Sequence, residues 1–123
     1  IVGGEITLIA EAFGLARRAG VDLTRLMEAL SGGAAASPVL TMKGSKMISG
    51  DYTASSRVLI HLKDQHNAQE MARALGADIP ACDLSTLLLE KLADMGRGNE
   101  DVAAVIDLFQ SKVDLRRLWN GNL

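Results

Sequence analysis

Residues 1–19 read IVGGEITLIAEAFGLARRA. Ile6, Ile9, Phe13 and Ala16 recur at spacings of three and four, which places them on one helix face. Val2, Leu8, Ala12 and Leu15 widen that face until most of the circumference is apolar, so the helix is expected to be buried on more than one side. No Ser, Thr, Asp or Asn precedes it to satisfy the free N–H groups of a first turn, and the first residue is Ile1 rather than methionine. The start of this helix is therefore expected upstream, in a chain that looks cut. Glu11 interrupts the apolar surface and needs either an exposed stripe or a polar partner.

The same spacings run through the rest of the chain, with almost no alternating β-branched runs, so the expected fold class is all-α. After the stop at Gly20, Asp22 should cap a second helix that buries Leu23, Leu26, Met27 and Leu30 before Gly32-Gly33. The small residues Ser31 to Ser37 lack the Gly-x-x-x-x-Gly-Lys-Ser/Thr pattern of a phosphate cradle and read first as a tight turn or close helix approach. Ser37 and Pro38 suit the cap and first position of a third helix running toward Met47, with Leu40, Met47 and Ile48 facing the core. A fourth should begin near Ser55 to Arg57 and end at Leu75 before Gly76. Pro80 then precedes a helix expected from about Asp83 to Met95. Gly96 to Asn99 separates it from a last helix beginning at Glu100, with a short helical tail near Val113 to Trp119.

Composition excludes several functions. With 123 residues, one core is expected. A net charge of -2, without a Lys/Arg tract or an aromatic platform, argues against nucleic acid. Cys82 is the one cysteine, so no internal disulfide can form, and the chain reads as a reduced, cytoplasmic-type protein. No apolar run is long enough to span a membrane, and the opening lacks the layout of a signal peptide. His61 and His66 lie five residues apart, more than a quarter turn off a shared face, so no metal site is expected. Cys82 has no adjacent cation to activate its thiol, and Tyr52 and Trp119 read as isolated edge residues.

The fourth helix holds the stretch HLKDQHN, residues 61–67, which is unusually rich in groups that titrate or hydrogen-bond. Val58, Leu62, Gln65, Ala68, Ala72 and Leu75 form one stripe, whereas Lys63, His66, Asn67 and Glu70 form another. From the pattern alone the polar stripe is first a solvated face supported by i,i+4 pairs; the other reading is a face turned toward a ligand.

The order of several short motifs carries a resemblance. A-E-A at 10–12, A-G-V-D at 19–22, G-G followed by A-x-S ending at Ser37, D-Y-T at 51–53, L-K-D at 62–64, G-x-x-x-P at 76–80 and G-N-E-D-V-A-A-V-I at 98–106 together resemble the β-hydroxyacid dehydrogenase family over about residues 1–110. Its members include 3-hydroxyisobutyrate dehydrogenase, tartronate semialdehyde reductase and dehydrogenases of four-carbon sugar acids. The resemblance implies an N-terminal Rossmann domain holding NAD or NADP. It also implies an all-helical C-terminal domain, similar to that of 6-phosphogluconate dehydrogenase-like enzymes, which closes the active site on a small hydroxy acid and makes a homodimer. Residues 1–123 look like the second part only, because a Gly-x-Gly-x-x-Gly turn after a strand is absent. The family's general acid/base lysine, within Gly-x-x-Gly-x-x-x-Lys-x-x-Asn, would fall upstream of Ile1, so no catalytic residue is expected here and the isolated chain should be inactive.

By the same resemblance Lys63 would contact the cofactor near its nicotinamide end, and Asp64 would lie beside the substrate. Many members carry Pro-Gly-Phe where this chain has Ala54-Ser55-Ser56, so a hydrophobic wall is replaced by Ser56, which could bond a substrate hydroxyl. That arrangement looks more like the sugar-acid dehydrogenases. Gln65 stands where leucine is common in the family, and the sequence offers no reason for it. The alternative from another class is a stand-alone helical interaction module, on which Lys63 and Asp64 would be ordinary surface residues.

Overall fold

The computed structural model describes residues 1–111 and 114–119. The elements are α1 (Val2–Arg18), α2 (Leu23–Ser31), α3 (Pro38–Ser49), α4 (Val58–Leu75) and α5 (Pro80–Leu92), then a π-type turn (Ala93–Arg97), a 3-10 turn (Val102–Val105), α6 (Ile106–Gln110) and α7 (Arg116–Trp119). The described residues contain no strand, and the all-α expectation holds. The centre is the short stretch from Val102 to Ile106, whose five side chains have no exposed surface. Helices α1, α3 and α5 pack around it, α4 lies on α5, and α2 lies on α3. Phe13, Ile6, Leu40, Met47, Leu88 and Leu92 are among the buried side chains of the same core. Gly14 lets α1 approach α6 closely, since a Cβ there would lie 2.6 Å from the Phe109 Cβ.

Local chemistry explains where the elements begin. The Asp22 carboxylate accepts the Arg25 N–H, and the Ser37 hydroxyl accepts the Leu40 N–H ahead of Pro38, as the cap signals predict. Helix α5 starts three residues earlier than expected, at Pro80 rather than Asp83. A proline has no N–H to leave unpaired in a first turn, and Asp83 then sits in that turn, where the helix dipole favours a carboxylate. Helix α5 gives way at Ala93 to the turn containing Gly96 (φ 81), so Met95 lies outside it and is exposed. The last helical stretch begins after Asp101, not at Glu100, because the Asp101 carboxylate accepts the Ala103 N–H as a cap.

Helix α1 departs from expectation in its environment. Ile6, Ala10 and Phe13 are buried, but Leu8 is 67% and Leu15 70% exposed, with Val2 and Ala12 also at the surface, so within this chain only one side is covered. Ile48, Leu26, Met27 and Leu30 are half-buried rather than buried. Tyr52 is an edge residue as expected, donating to Asp107 Oδ1 at 2.8 Å with the Arg97 guanidinium 5.4 Å from its ring centre. Burial and the Asp107 carboxylate push its phenol above its ordinary value. The tail expected near Val113 to Trp119 forms its turn at Arg116–Trp119; Val113 and the Trp119 side chain lie outside the described residues.

Candidate functional site

The loop before α4 and the first turn of α4 are fixed to the segment around Asp101 by backbone bonds. Asp101 N–H donates to the Tyr52 carbonyl, Val102 N–H to the Ser56 carbonyl, Val58 N–H to the Glu100 carbonyl and Leu59 N–H to the Gly98 carbonyl, all at 2.9–3.0 Å. Beneath this seam lies an ion pair that the sequence reading did not single out. Lys43 Nζ is 2.9 Å from Asp101 Oδ1, with the lysine 6% and the aspartate 0% exposed. The Asp101 carboxylate also accepts the Ser55 N–H, the Ser55 hydroxyl and the Ser56 N–H. Burial pushes its pKa upward, but Lys43, the Ala103 N–H and Ser55 outweigh burial and hold it far below the usual carboxylate range. Two signals were available: Lys43 shares a helix face with Leu40 and Met47, which requires a buried anion, and Asp101 immediately precedes an apolar run.

Pinned in this way, Ser56 turns its hydroxyl to His61, with 2.8 Å between Oγ and Nε2. His61 is half-buried, and burial, aided by the charge of Lys43 and opposed by Asp64 and Asp101, lowers its pKa below the ordinary histidine value. The imidazole is therefore neutral at neutral pH.

His61 and Asp64 form one wall of an open groove of about 1140 Å³ between the start of α1, the middle of α4 and the start of α5. Ile1, Val2, Leu8, Ala68, Ile79 and Pro80 make it largely apolar, and Glu5 and Cys82 add polar or polarisable groups. Among the expected site residues, Asp64 therefore lines the groove. Lys63 does not; it stands beside Asp64 with Nζ 3.4 Å from Oδ1, both side chains 66% exposed. Ser56 is not a lining residue either and meets the groove through His61. The Cys82 thiol is free and partly exposed. On the outer face of α4, His66 Nε2 is 2.9 Å from Glu90 Oε1, a surface pair away from the groove.

Under the groove lies the account of Gln65 that the sequence lacked. Its side chain is buried and donates from Nε2 to Ser85 Oγ at 2.8 Å, while Thr86 Oγ1 donates to its Oε1 at 3.2 Å. Ser85 Oγ meets Thr7 Oγ1 at 2.9 Å, and Thr7 donates onward to the Gly3 carbonyl. Gln65 thus ties α4 to α5 and α1 where leucine could only pack.

Fold and groove together define an all-helical domain with an open, mostly apolar cleft into which His61, Asp64 and Glu5 bring polar groups. Residues 1–109 match the family described as the NAD-binding domain of NADP-dependent 3-hydroxyisobutyrate dehydrogenase, and the chain belongs to that family of NAD(P)-dependent hydroxyacid dehydrogenases. It is similar to 2-hydroxy-3-oxopropionate reductase of Escherichia coli (strain K12), 30% identical over 110 residues that span 89% of this chain and 38% of that protein. It is 31% identical over 109 residues to L-threonate dehydrogenase of the same strain, covering 89% of this chain and 36% of the relative. A crystal structure of 3-hydroxyisobutyrate dehydrogenase from Salmonella typhimurium superposes with a TM-score of 0.84 at 31% identity over 87% of this chain and 38% of that one. The Mycobacterium tuberculosis 3-hydroxyisobutyrate dehydrogenase, at 21% identity and a TM-score of 0.81 over 89% of this chain and 40% of that one, shares the fold. The chain thus spans well under half the length of these relatives.

Proposed function

We propose that residues 1–123 are the helical C-terminal domain of an NAD(P)-dependent β-hydroxyacid dehydrogenase, completing the site for a small hydroxy acid and forming a homodimer. The observation that carries this reading is the groove walled by His61 and Asp64 at the start of α1, within a chain that matches the dehydrogenase family over residues 1–109. Among the described residues no glycine-rich βα turn offers a pyrophosphate cradle, and this reading gives the main hold on the dinucleotide to an N-terminal Rossmann domain. Bound there, the nicotinamide supplies hydride transfer. Lys63 is suited to meet it, because its exposed ammonium can exchange its contact with Asp64 for one to the cofactor. Asp64 orients polar groups of the substrate, and Ser56 serves the same site with its hydroxyl on His61.

Oxidising a hydroxyl also needs a group that takes its proton, and the general acid/base lysine of this reading lies upstream of Ile1. The isolated chain should therefore not oxidise NADH with tartronate semialdehyde; appreciable turnover would overturn that assignment. In the natural gene product, Lys63→Ala is expected to raise KM for the dinucleotide about tenfold with kcat changed much less, the scale of a partly exposed charged hydrogen bond. An unchanged KM would return Lys63 to the solvated surface. The exposed side of α1 outside the groove, with Ala12 and Leu15, supports the homodimer, and light scattering at micromolar concentration should give at least twice the chain mass. The free Cys82 fits the reduced, cytoplasmic setting of this reading.

The deciding experiment is to read the natural coding region upstream of the Ile1 codon. A glycine-rich βα start followed by Gly-x-x-Gly-x-x-x-Lys-x-x-Asn is the expected result. A start codon just ahead of Ile1 would instead favour the stand-alone interaction module.

A further inference from the structure

We propose that His61 is a substrate-contacting specificity residue, oriented by Ser56, which selects hydroxy acids carrying a further hydroxyl beyond the reacting carbon. The inference rests on the dehydrogenase reading above and names its substrate class more closely. Its first support is geometric. His61 lines the groove, its Nε2 is occupied by Ser56 Oγ at 2.8 Å, and its Nδ1 has no hydrogen-bond partner among the described residues, yet is not sealed from solvent. One ring nitrogen is thus fixed and the other is unpaired, in a residue that lines a largely apolar groove. Such a groove selects by the few polar groups it presents.

Fixation extends below the imidazole. The Ser56 N–H donates to the Asp101 carboxylate at 3.2 Å, and its carbonyl accepts the Val102 N–H at 2.9 Å, so Ser56 is held to the most buried part of the core. The imidazole is neutral at neutral pH, because burial and Lys43 lower its pKa against the pull of Asp64 and Asp101. A neutral ring bonded to a serine offers its other nitrogen either as donor or as acceptor, depending on the tautomer, and a hydroxyl satisfies both cases.

The charges on this wall decide which end of a hydroxy acid faces His61. Asp64 and Glu5 both line the groove; Asp64 shares its charge with Lys63, whereas Glu5 accepts a hydrogen bond from Ser37 and has no ion-pair partner among the described residues. A substrate carboxylate is repelled there, and a hydroxyl is not. The hydroxylated end therefore meets His61, and the acid end is bound away from this wall. A methyl group in the same place would leave Nδ1 desolvated and unpaired, which costs affinity.

The test uses the full natural gene product, supplied with NAD and NADP in turn, and compares L-threonate with 3-hydroxyisobutyrate, which has a methyl and no additional hydroxyl. The wild type should favour L-threonate in kcat/KM. His61→Ala should raise KM for L-threonate about tenfold more than for 3-hydroxyisobutyrate, with kcat for L-threonate changed less than KM, as expected for a lost hydrogen bond in binding. His61→Asn should recover part of that selectivity. Ser56→Ala, a small change that keeps the backbone bonds, should reduce selectivity in the same direction by a smaller factor, about threefold. Equal losses on both substrates, or a wild type that prefers 3-hydroxyisobutyrate, would overturn the inference and leave the dehydrogenase reading standing. No NAD(P)-linked turnover of any hydroxy acid by the wild type would overturn both.

Discussion

Replacing Asp101 by alanine is expected to destabilise this domain by about 3–5 kcal/mol, a large share of the roughly 5–15 kcal/mol that holds a typical domain folded. The aspartate is wholly buried and receives Lys43, the Ser55 N–H and hydroxyl, the Ser56 N–H and the Ala103 N–H. Alanine would strand a buried ammonium and remove the cap of the central 3-10 turn. Asp101→Asn keeps an acceptor without the charge and should lose less. Denaturant unfolding followed by circular dichroism measures both, and an Asp101→Ala midpoint equal to the wild type would show that the pair does not hold the loop. The acid response has the same origin. A carboxyl held below its unfolded value contributes fully above about pH 4, and its contribution is lost as pH falls through the folded value. His61 acts in the same direction, since its lowered pKa makes stability decline as pH drops below about 6.5. Stability should therefore fall on acidification, and Asp101→Ala should flatten the part of the curve below about pH 4.

What the sequence made legible was mostly local. Asp22, Ser37-Pro38 and Gly76 announce helix ends because a cap or a left-handed residue acts within a turn of its own position. Pro80 was ambiguous for the same reason, since a proline suits both the residue before a helix and its first position. The polar stripe with Lys63, His66, Asn67 and Glu70 is exposed as its period implies, and the motif order identified the family. Long-range pairs were not legible. Lys43 and Asp101 lie 58 residues apart, and only the fold brings their charges together. The spacing of His61 and His66 bears only on a shared metal, whereas the partner of His61 is Ser56, just ahead of the helix and beyond the reach of a helical-face argument.

Gly3→Ala is the second substitution expected to matter greatly, with a loss of about 2–5 kcal/mol from overpacking and from the hydrogen bonds it breaks. A Cβ at Gly3 would lie 2.2 Å from Gln65 Nε2, so the glutamine must swing away. That side chain is not free to move at little cost, because it is buried and begins a directed series of bonds. Its N–H donates to Ser85 Oγ, Ser85 donates to Thr7 Oγ1, and Thr7 donates to the Gly3 carbonyl, while Thr86 donates to the Gln65 carbonyl oxygen. Admitting one methyl therefore breaks the polar link from α4 to α5 and α1 at the floor of the groove. A double-mutant cycle isolates this coupling. Gln65→Ala should lose stability by itself, but in the Gly3→Ala background it removes the collision, so the double mutant should be clearly more stable than the sum of the two single losses. Strict additivity in chemical unfolding would mean that Gln65 already yields freely. Because Gly3 and Gln65 both line the groove, non-additivity would also mean that the wall bearing His61 and Asp64 is held in place by a polar bond network as well as by apolar packing.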